Sequence, residues 1–447
     1  MKLGSFRELL SETIPLISIL IGVALVSVSI GPFYNLDTHL EYETTLAVVK
    51  QGMPYITSYG SLIDQPPLGF YVSALVFKGV GYSYATGVNV VTLFGLGCTV
   101  LVYALGKILY DKLTGVLAAA LFAMTPWQMI ISRSFLIDVQ CLFFSLLFLL
   151  VGIHAIRKDS LKLFVASGTF FAIALLTKFY AVFALIPLAV FYLYFRQKNL
   201  SRIPALVAYF LPAIFLSYLW YEIIAGEGWL SILGHNDFMV FNLAGYNPSC
   251  LFVGIFLLGS IGVLFLPTTA LSLLVGFFGR KFYPKTFSID LMCLITIIVV
   301  ASVNTCLGFG LNLKCPYLNP VKYDYQFLPF VSLLAASLVS KFLSLYNSAN
   351  LKEKLNRLLF LVASIGLILL VWSMFFDMLF INVYSIIDYA VFNVELNRDL
   401  GYSFFNSAPL GEYSPLIYVQ FFGFIFVTAG LVFALINKSG LLHKTNL

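Results

Sequence analysis

Three carboxylates open the chemistry of this chain. Asp37 follows the first long apolar run, Asp64 stands just before Pro66–Pro67, and Asp138 begins the apolar segment "FLIDVQCLFF". A carboxylate can act as a general base toward a hydroxyl, and paired carboxylates can divide acid and base roles. Asp37 and Glu41 are four apart and share a face if the segment is helical. Asp64 precedes two prolines, which start helices well, and the free N–H groups of a helix start favour an anion. Asp138 lies where a carboxylate is costly unless it meets a partner or a wet cavity. Glu41, Glu43, Glu222, Glu227 and Asp237 read more simply as solvating or capping acids.

Cations complete the set. Arg133 stands five residues before Asp138, and Lys178, Lys314 and Lys322 lie near the same predicted level. Any of them can hold a phosphate, and any can equally be an interface anchor that snorkels. Arg133 and Lys322, the latter in "NPVKYDY", are the first choices for an anion. His39 and His235 are the histidines on that level. Asp64 with His235 could hold a divalent metal ion; a lone solvated histidine is the plainer reading.

The elements that must carry these residues are membrane helices. Of 447 residues, 60% are hydrophobic and 10% charged, with a mean hydropathy of +0.96. A soluble domain cannot hide that much apolar surface. The apolar runs approach the ~20 residues a bilayer requires and do not alternate. The expected fold is an all-α polytopic membrane protein with about twelve spans, near 13–33, 86–107, 115–131, 138–156, 162–177, 180–195, 203–222, 252–278, 288–310, 325–343, 357–378 and 415–437. The first run exceeds a signal-peptide core and reads as an uncleaved span. The helix after Pro67 is too short to cross and reads as an interfacial helix. The net charge of +6 is scattered over short loops, so it points to no nucleic-acid partner.

Charge orients the spans. All Lys and Arg residues except Lys50, Lys78, Arg133, Lys178, Lys314, Lys322 and Arg398 fall in loops and tails of one set, while most acids fall in the other. Positive residues mark the cytoplasmic side. Both termini are therefore expected inside, and residues 34–85, 223–251, 311–324 and 379–414 outside, all within one membrane domain spanning 1–447. None of the six cysteines has metal spacing. Cys250 and Cys315 both fall on the outer side, where a disulfide is one option.

With these residues in place, the chain resembles the GT-C glycosyltransferases, in particular the protein O-mannosyltransferases and lipid A aminoarabinose transferases. "YNLDTHLEYETTLAVVKQGMPY" and "DQPPLGFYVSALVFKGVG" are similar to their first external loop. "LFGLGCTVLVYALGKILYDKLTGVLAAALFAMTPWQMIISRSFLID" is similar to their next two spans and the S-R-x-x-x-x-D segment. "IALLTKFYAVFALIPL" resembles their L-T-K segment, and "VKYDYQFLPFVSLLAASLV" their R-Y-x-L-P segment. The resemblance covers residues 10–200 well and 315–345 loosely.

It implies transfer of a sugar from a polyprenyl phosphate to a lipid, glycan or protein acceptor by inverting displacement, at the outer face of the plasma membrane. By position, the resemblance makes Asp37 the catalytic carboxylate of the first loop, Asp138 its partner, and Asp64 the pre-proline acid that joins a histidine at a metal in some relatives. Two positions depart from the pattern: Thr38 stands where a second acid is common, and Gln65 where a phosphate-binding lysine is common. A transporter or a lipid-linked sugar flippase is the alternative reading. It requires ionisable residues or a polar stripe deep in the spans, and the acids gather at one surface instead.

Overall fold

The computed structural model describes residues 3–29, 32, 36–56, 61–62, 65–195, 203–224, 226, 239–241, 284–309, 325–348, 361–362, 364–369, 372 and 414–439. It is a helical bundle. The long helices are α1 (Leu3–Ser29), α4 (Tyr84–Leu109), α5 (Lys112–Met124), α7 (Asp138–Lys158), α8 (Leu161–Thr177), α9 (Leu185–Phe195), α10 (Ile203–Tyr218), α11 (Pro284–Cys306), α12 (Leu328–Ser348) and α13 (Ser414–Ser439). Three further helices, α2 (Leu36–Gln51), α3 (Leu68–Val80) and α6 (Pro126–Ser132), lie among them. Tyr84–Leu109, Asp138–Lys158 and Tyr418–Ile436 are long and apolar enough to cross a membrane.

Helix boundaries follow local chemistry. Pro67 caps α3, and its carbonyl accepts from the N–H of Phe70 and of Tyr71. Ser83 caps α4 by accepting from Thr86 N at 3.0 Å. Asp111 caps α5 through Thr114 N at 2.7 Å. The α7–α8 connection is two residues, Asp159 and Ser160, with Asp159 in the left-handed region at φ 49°. Pro126 ends α5 rather than bending it. Residue 125 is extended, as the residue before a proline prefers, and a new short helix, α6, begins. The span expected over 115–131 is thus two helices. Likewise Lys178 interrupts the expected pair 162–177 and 180–195 with a 3₁₀ turn, Phe179–Ala184.

α5 forms the centre. Every residue from Leu113 to Met124 is buried, and its small residues let α4 and α12 come close. Gly106 and Gly115 meet back to back, where a Cβ on Gly115 would strike the backbone of Tyr103 and Lys107. α1 packs along α13, with Gly22 against Gly423 and Gly430 against Pro15.

α4 and α7 run parallel. Arg133, just before α7, bonds Asn89 and Thr92 early in α4, while Arg157 near the end of α7 bonds the carbonyl of Ile108 late in α4. One end of the bundle therefore holds Glu41, Asp138 and Lys178, and the opposite end holds Tyr110, Arg157 and Lys158. Two small antiparallel pairings add to the helices: Tyr55–Ile56 with Ser61–Leu62, and Met239–Phe241 with Leu307–Phe309. Cys98, Cys141 and Cys293 are buried free thiols; Cys250 and Cys315 lie outside the described residues.

Candidate active site

Asp138 begins α7 without a side-chain cap on Ile137, the residue before it. The missing cap comes from another helix. Glu41 of α2 accepts the Ile137 N–H through Oε2 at 2.8 Å. A carboxylate is favourable there because the helix start carries partial positive charge. Glu41 is held on α2 next to Thr45, whose hydroxyl bonds the Glu41 carbonyl at 2.8 Å.

Lys178 arrives from the other side. α8 stops at Thr177, and Lys178 adopts an extended backbone. Its N–H returns to Ala174 O, and its carbonyl accepts from Ala181 N at 3.1 Å and from Cys141 Sγ at 3.6 Å. The root of the side chain is thus tied to α7, α8 and the 3₁₀ turn. Its ammonium donates to Asp138 Oδ2 at 2.7 Å, lies 3.9 Å from Glu41 Oε1, and sits 5.6 Å from the Tyr180 ring centroid.

The three charges are buried: Asp138 is 0% exposed, Glu41 2% and Lys178 5%. Two carboxylates face one ammonium, and Asp138 Oδ1 is buried with no hydrogen-bond partner. Asp138 Oδ1 can therefore accept a further donor.

Around this core the first loop is pinned. Gln140 Nε2 donates to Ser73 of α3 at 2.9 Å. Gly69 lies so close to Ile137 and Gln140 that a Cβ would collide with them. Tyr71 donates to Gly52 O at 2.7 Å and packs edge-on against Trp220. Burial raises the Tyr71 phenol above its usual pKa. Tyr42, Phe77, Tyr84 and Phe135 form an aromatic knot joining α2, α3 and α4. On the remaining side, Tyr325, at the head of α12, donates to Gln128 Oε1 at 2.5 Å.

The predicted residues divide accordingly. Asp138 and Lys178 meet. Lys178, expected to hold an anion, is already committed to two carboxylates, so a phosphate would have to compete for it. Arg133 points elsewhere, to Asn89 and Thr92 at 3.3 and 3.2 Å, and burial pulls its guanidinium below its ordinary pKa. Asp37 occupies α2 one turn before Glu41. Gln65 stands at the turn into α3 with its carbonyl oxygen buried and unbonded. Asp64, His235, Lys314 and Lys322 lie outside the described residues. Among the described residues no group of three His, Cys, Asp or Glu could hold a metal ion.

Glu41, read as a solvating or capping acid, does cap the start of α7, but it does so buried in the cluster rather than in solvent. Its i, i+4 spacing from Asp37 was the available signal. Gln128 and Tyr325 were missed, since neither residue type announces a site by itself.

The comparisons can now be set against this geometry. Residues 64–221 match a family profile described as Dolichyl-phosphate-mannose-protein mannosyltransferase. That stretch contains Asp138 and Lys178 but neither Asp37 nor Glu41. ArnT from Cupriavidus metallidurans bound to undecaprenyl phosphate is similar in structure. Its TM-score is 0.53 at 14% identity, over 95% of this chain and 77% of that one. The apo form of the same protein gives a TM-score of 0.54 at 13% identity, over 94% and 76%. The oligosaccharyltransferase from Archaeoglobus fulgidus in its apo form gives a TM-score of 0.56 at 14% identity, over 83% of this chain and 56% of that one. A search among curated proteins gives no match. The fold is that of the GT-C glycosyltransferases, a helical membrane fold. Another structure of the Archaeoglobus protein is in complex with zinc and sulfate.

Proposed function

We propose that this protein is a membrane glycosyltransferase that moves a sugar from a polyprenyl phosphate to an acceptor. The observation that carries the reading is the buried Glu41–Lys178–Asp138 cluster in a fold shared with ArnT and the archaeal oligosaccharyltransferase. The similar ArnT structure contains undecaprenyl phosphate, and a structure of the archaeal enzyme contains a dolichol-phosphate and an inhibitory peptide.

A lipid phosphate is a good leaving group and needs no general acid. The remaining requirements are a base for the acceptor and positive charge for the departing phosphate. In the proposed step an acceptor hydroxyl oxygen attacks the anomeric carbon. Its proton passes to a carboxylate, the bond from carbon to phosphate oxygen breaks, and polyprenyl phosphate leaves with the electron pair. Attack opposite the leaving group inverts the anomeric centre.

Asp37 is the base in this reading, carried on the same helix as Glu41. Asp138 is held by Lys178, and Glu41 caps the start of its helix. This reading gives the phosphate its positive charge from Lys322 and from Arg133, which in this structure bonds Asn89 and Thr92. A divalent ion on Asp64 and His235 belongs to the same reading, while the steps above run on this chain's own side chains. The cluster faces the extracytoplasmic side of the plasma membrane, and residues 1–447 form one membrane domain. This placement is supported by the gathering of Arg157 and Lys158 at the opposite end.

The test is Asp37→Asn, which keeps the shape and removes the basic site. General base catalysis typically contributes ~10²–10⁴-fold. Turnover should fall by about that much, with donor binding retained. A purified Asp37→Asn protein transferring sugar at the wild-type rate would move the base to another carboxylate.

A further inference from the structure

The bundle holds a second buried polar cluster, at the end away from the candidate site. Asp290 of α11 accepts from Ser337 of α12 at 2.8 Å and from Tyr110 at 2.9 Å, both through Oδ1. Its other oxygen pairs with Lys341 of α12. Asp290 is 2% exposed and Lys341 5%. Tyr110 OH also lies 3.9 Å from Cys293 Sγ. Ser337 and Lys341 are four apart on α12, so both reach Asp290 from one helix face.

Both oxygens of Asp290 thus have donors, and the cluster offers nothing to a ligand. Its consequence is mechanical. Tyr325, which bonds Gln128 near the candidate site, sits at the head of α12, and Lys341 is on the same helix. Sixteen residues separate them, about 24 Å at ~1.5 Å per residue.

Between these two anchors the buried face of α12 is mostly apolar, with Phe330 among its larger side chains and Leu333 seated against Gly106. Its buried face there includes Leu333, Leu334, Ala335 and Ala336. It packs against α5, which carries Ala118, Ala119 and Ala120. Apolar contacts are non-directional and mark a helix register less sharply than a hydrogen-bonded ion pair does. A buried polar group suits one register alone, and setting register is the best-attested use of such groups.

We propose that Asp290 and Lys341 are positioning residues that set the register of α12, so that Tyr325 meets Gln128 beside the Asp138–Lys178 pair. The pair acts on the site through the helix and touches no reacting atom. Its link to catalysis rests on the glycosyl-transfer reading; the register itself does not.

The experiment is a double-mutant cycle on the purified full-length protein, read by thermal midpoint. One arm is the joint change Asp290→Leu and Lys341→Leu, the other is Tyr325→Phe. Replacing a buried ion pair by apolar residues is often neutral or stabilising, but the Leu pair also leaves the Ser337 and Tyr110 hydroxyls without their acceptor, so its midpoint should fall modestly. Changes this far apart normally add. If the pair sets register, Tyr325→Phe lowers the midpoint in the wild-type background and has no further effect in the Leu pair. Equal shifts in both backgrounds overturn the proposal. Should the Leu pair not fold, Asp290→Asn with Lys341→Met carries the same cycle.

A second readout uses undecaprenyl phosphate as the probe. It should raise the wild-type midpoint and raise that of the Leu pair much less. An equal rise in both overturns the effect on the site. No rise in wild type overturns the lipid-phosphate reading, and the cycle still decides the register.

Discussion

Replacing Lys178 with Met tests the energetics of the buried cluster most directly. The change keeps length and apolar bulk and removes the charge. At an effective dielectric of about 20, unit charges 2.7 Å apart attract by about 6 kcal/mol, and at 3.9 Å by about 4 kcal/mol. Those separations are the ones from Lys178 to Asp138 and to Glu41. Desolvation offsets most of this, and deleting one partner of a buried pair costs about 3–5 kcal/mol, because the other charge is left uncompensated. Here two carboxylates are left, one of them wholly buried. Lys178→Met should therefore be severely destabilised in thermal unfolding of the purified protein. Adding Asp138→Asn removes the orphaned charge and should restore much of the loss, giving a coupling of about 0.5–3 kcal/mol. If Lys178→Met melts like wild type, or if the double variant loses the sum of the two single losses, the ion pair does not hold this end of the bundle together.

Other outcomes follow from neighbouring features. Glu41→Gln keeps an acceptor for the Ile137 N–H, whereas Glu41→Ala loses the cap, worth about 0.5–2 kcal/mol; unfolding should rank wild type, then Gln, then Ala. Gly115→Val forces a side chain against the backbone of Tyr103 and Lys107. Overpacking costs typically 1–3 kcal/mol or more, so the yield of folded protein should collapse, and Gly79→Val, with open space around it, should express normally. For sidedness, a cysteine at exposed Lys78 should react with a membrane-impermeant maleimide in intact cells, and one at exposed Lys158 only after permeabilisation. The reverse pattern would invert the assigned topology.

Much of this arrangement was legible because single residues carry strong local rules. Pro66–Pro67 had to start a helix, and α3 begins there. Asp138 in an apolar run needed a partner or a wet cavity, and it meets Lys178. Pro126 was visible too, but sequence alone does not say whether a proline bends a span or divides it; the packing around α5 decides for division. Glu41 caps a helix, as one reading of it had it, but it is buried rather than solvated, because exposure is not a local property. Its burial depends on α7 arriving ninety-six residues later with an uncapped start. Tyr325 with Gln128, and Asp290 with Lys341, are pairings across the bundle, and no spacing along the chain encodes them.

The packing of α1 against α13 also bears on how the chain is made. Gly22 lies against Gly423, and the Ser18 hydroxyl bonds the carbonyl of Phe426, 408 residues away. At synthesis rates of ~5–20 residues per second, the face of α1 that receives α13 waits on the order of 20–80 s for its partner. During that interval its glycine notch is open to lipid or to another helix in the insertion machinery. A chain halted before residue 414 would keep the sequence of the candidate site intact yet leave this seam unsealed. Arrival of α13 thus seals α1 late in synthesis, and truncations that remove α13 should be cleared as unfinished bundles rather than accumulate as folded protein.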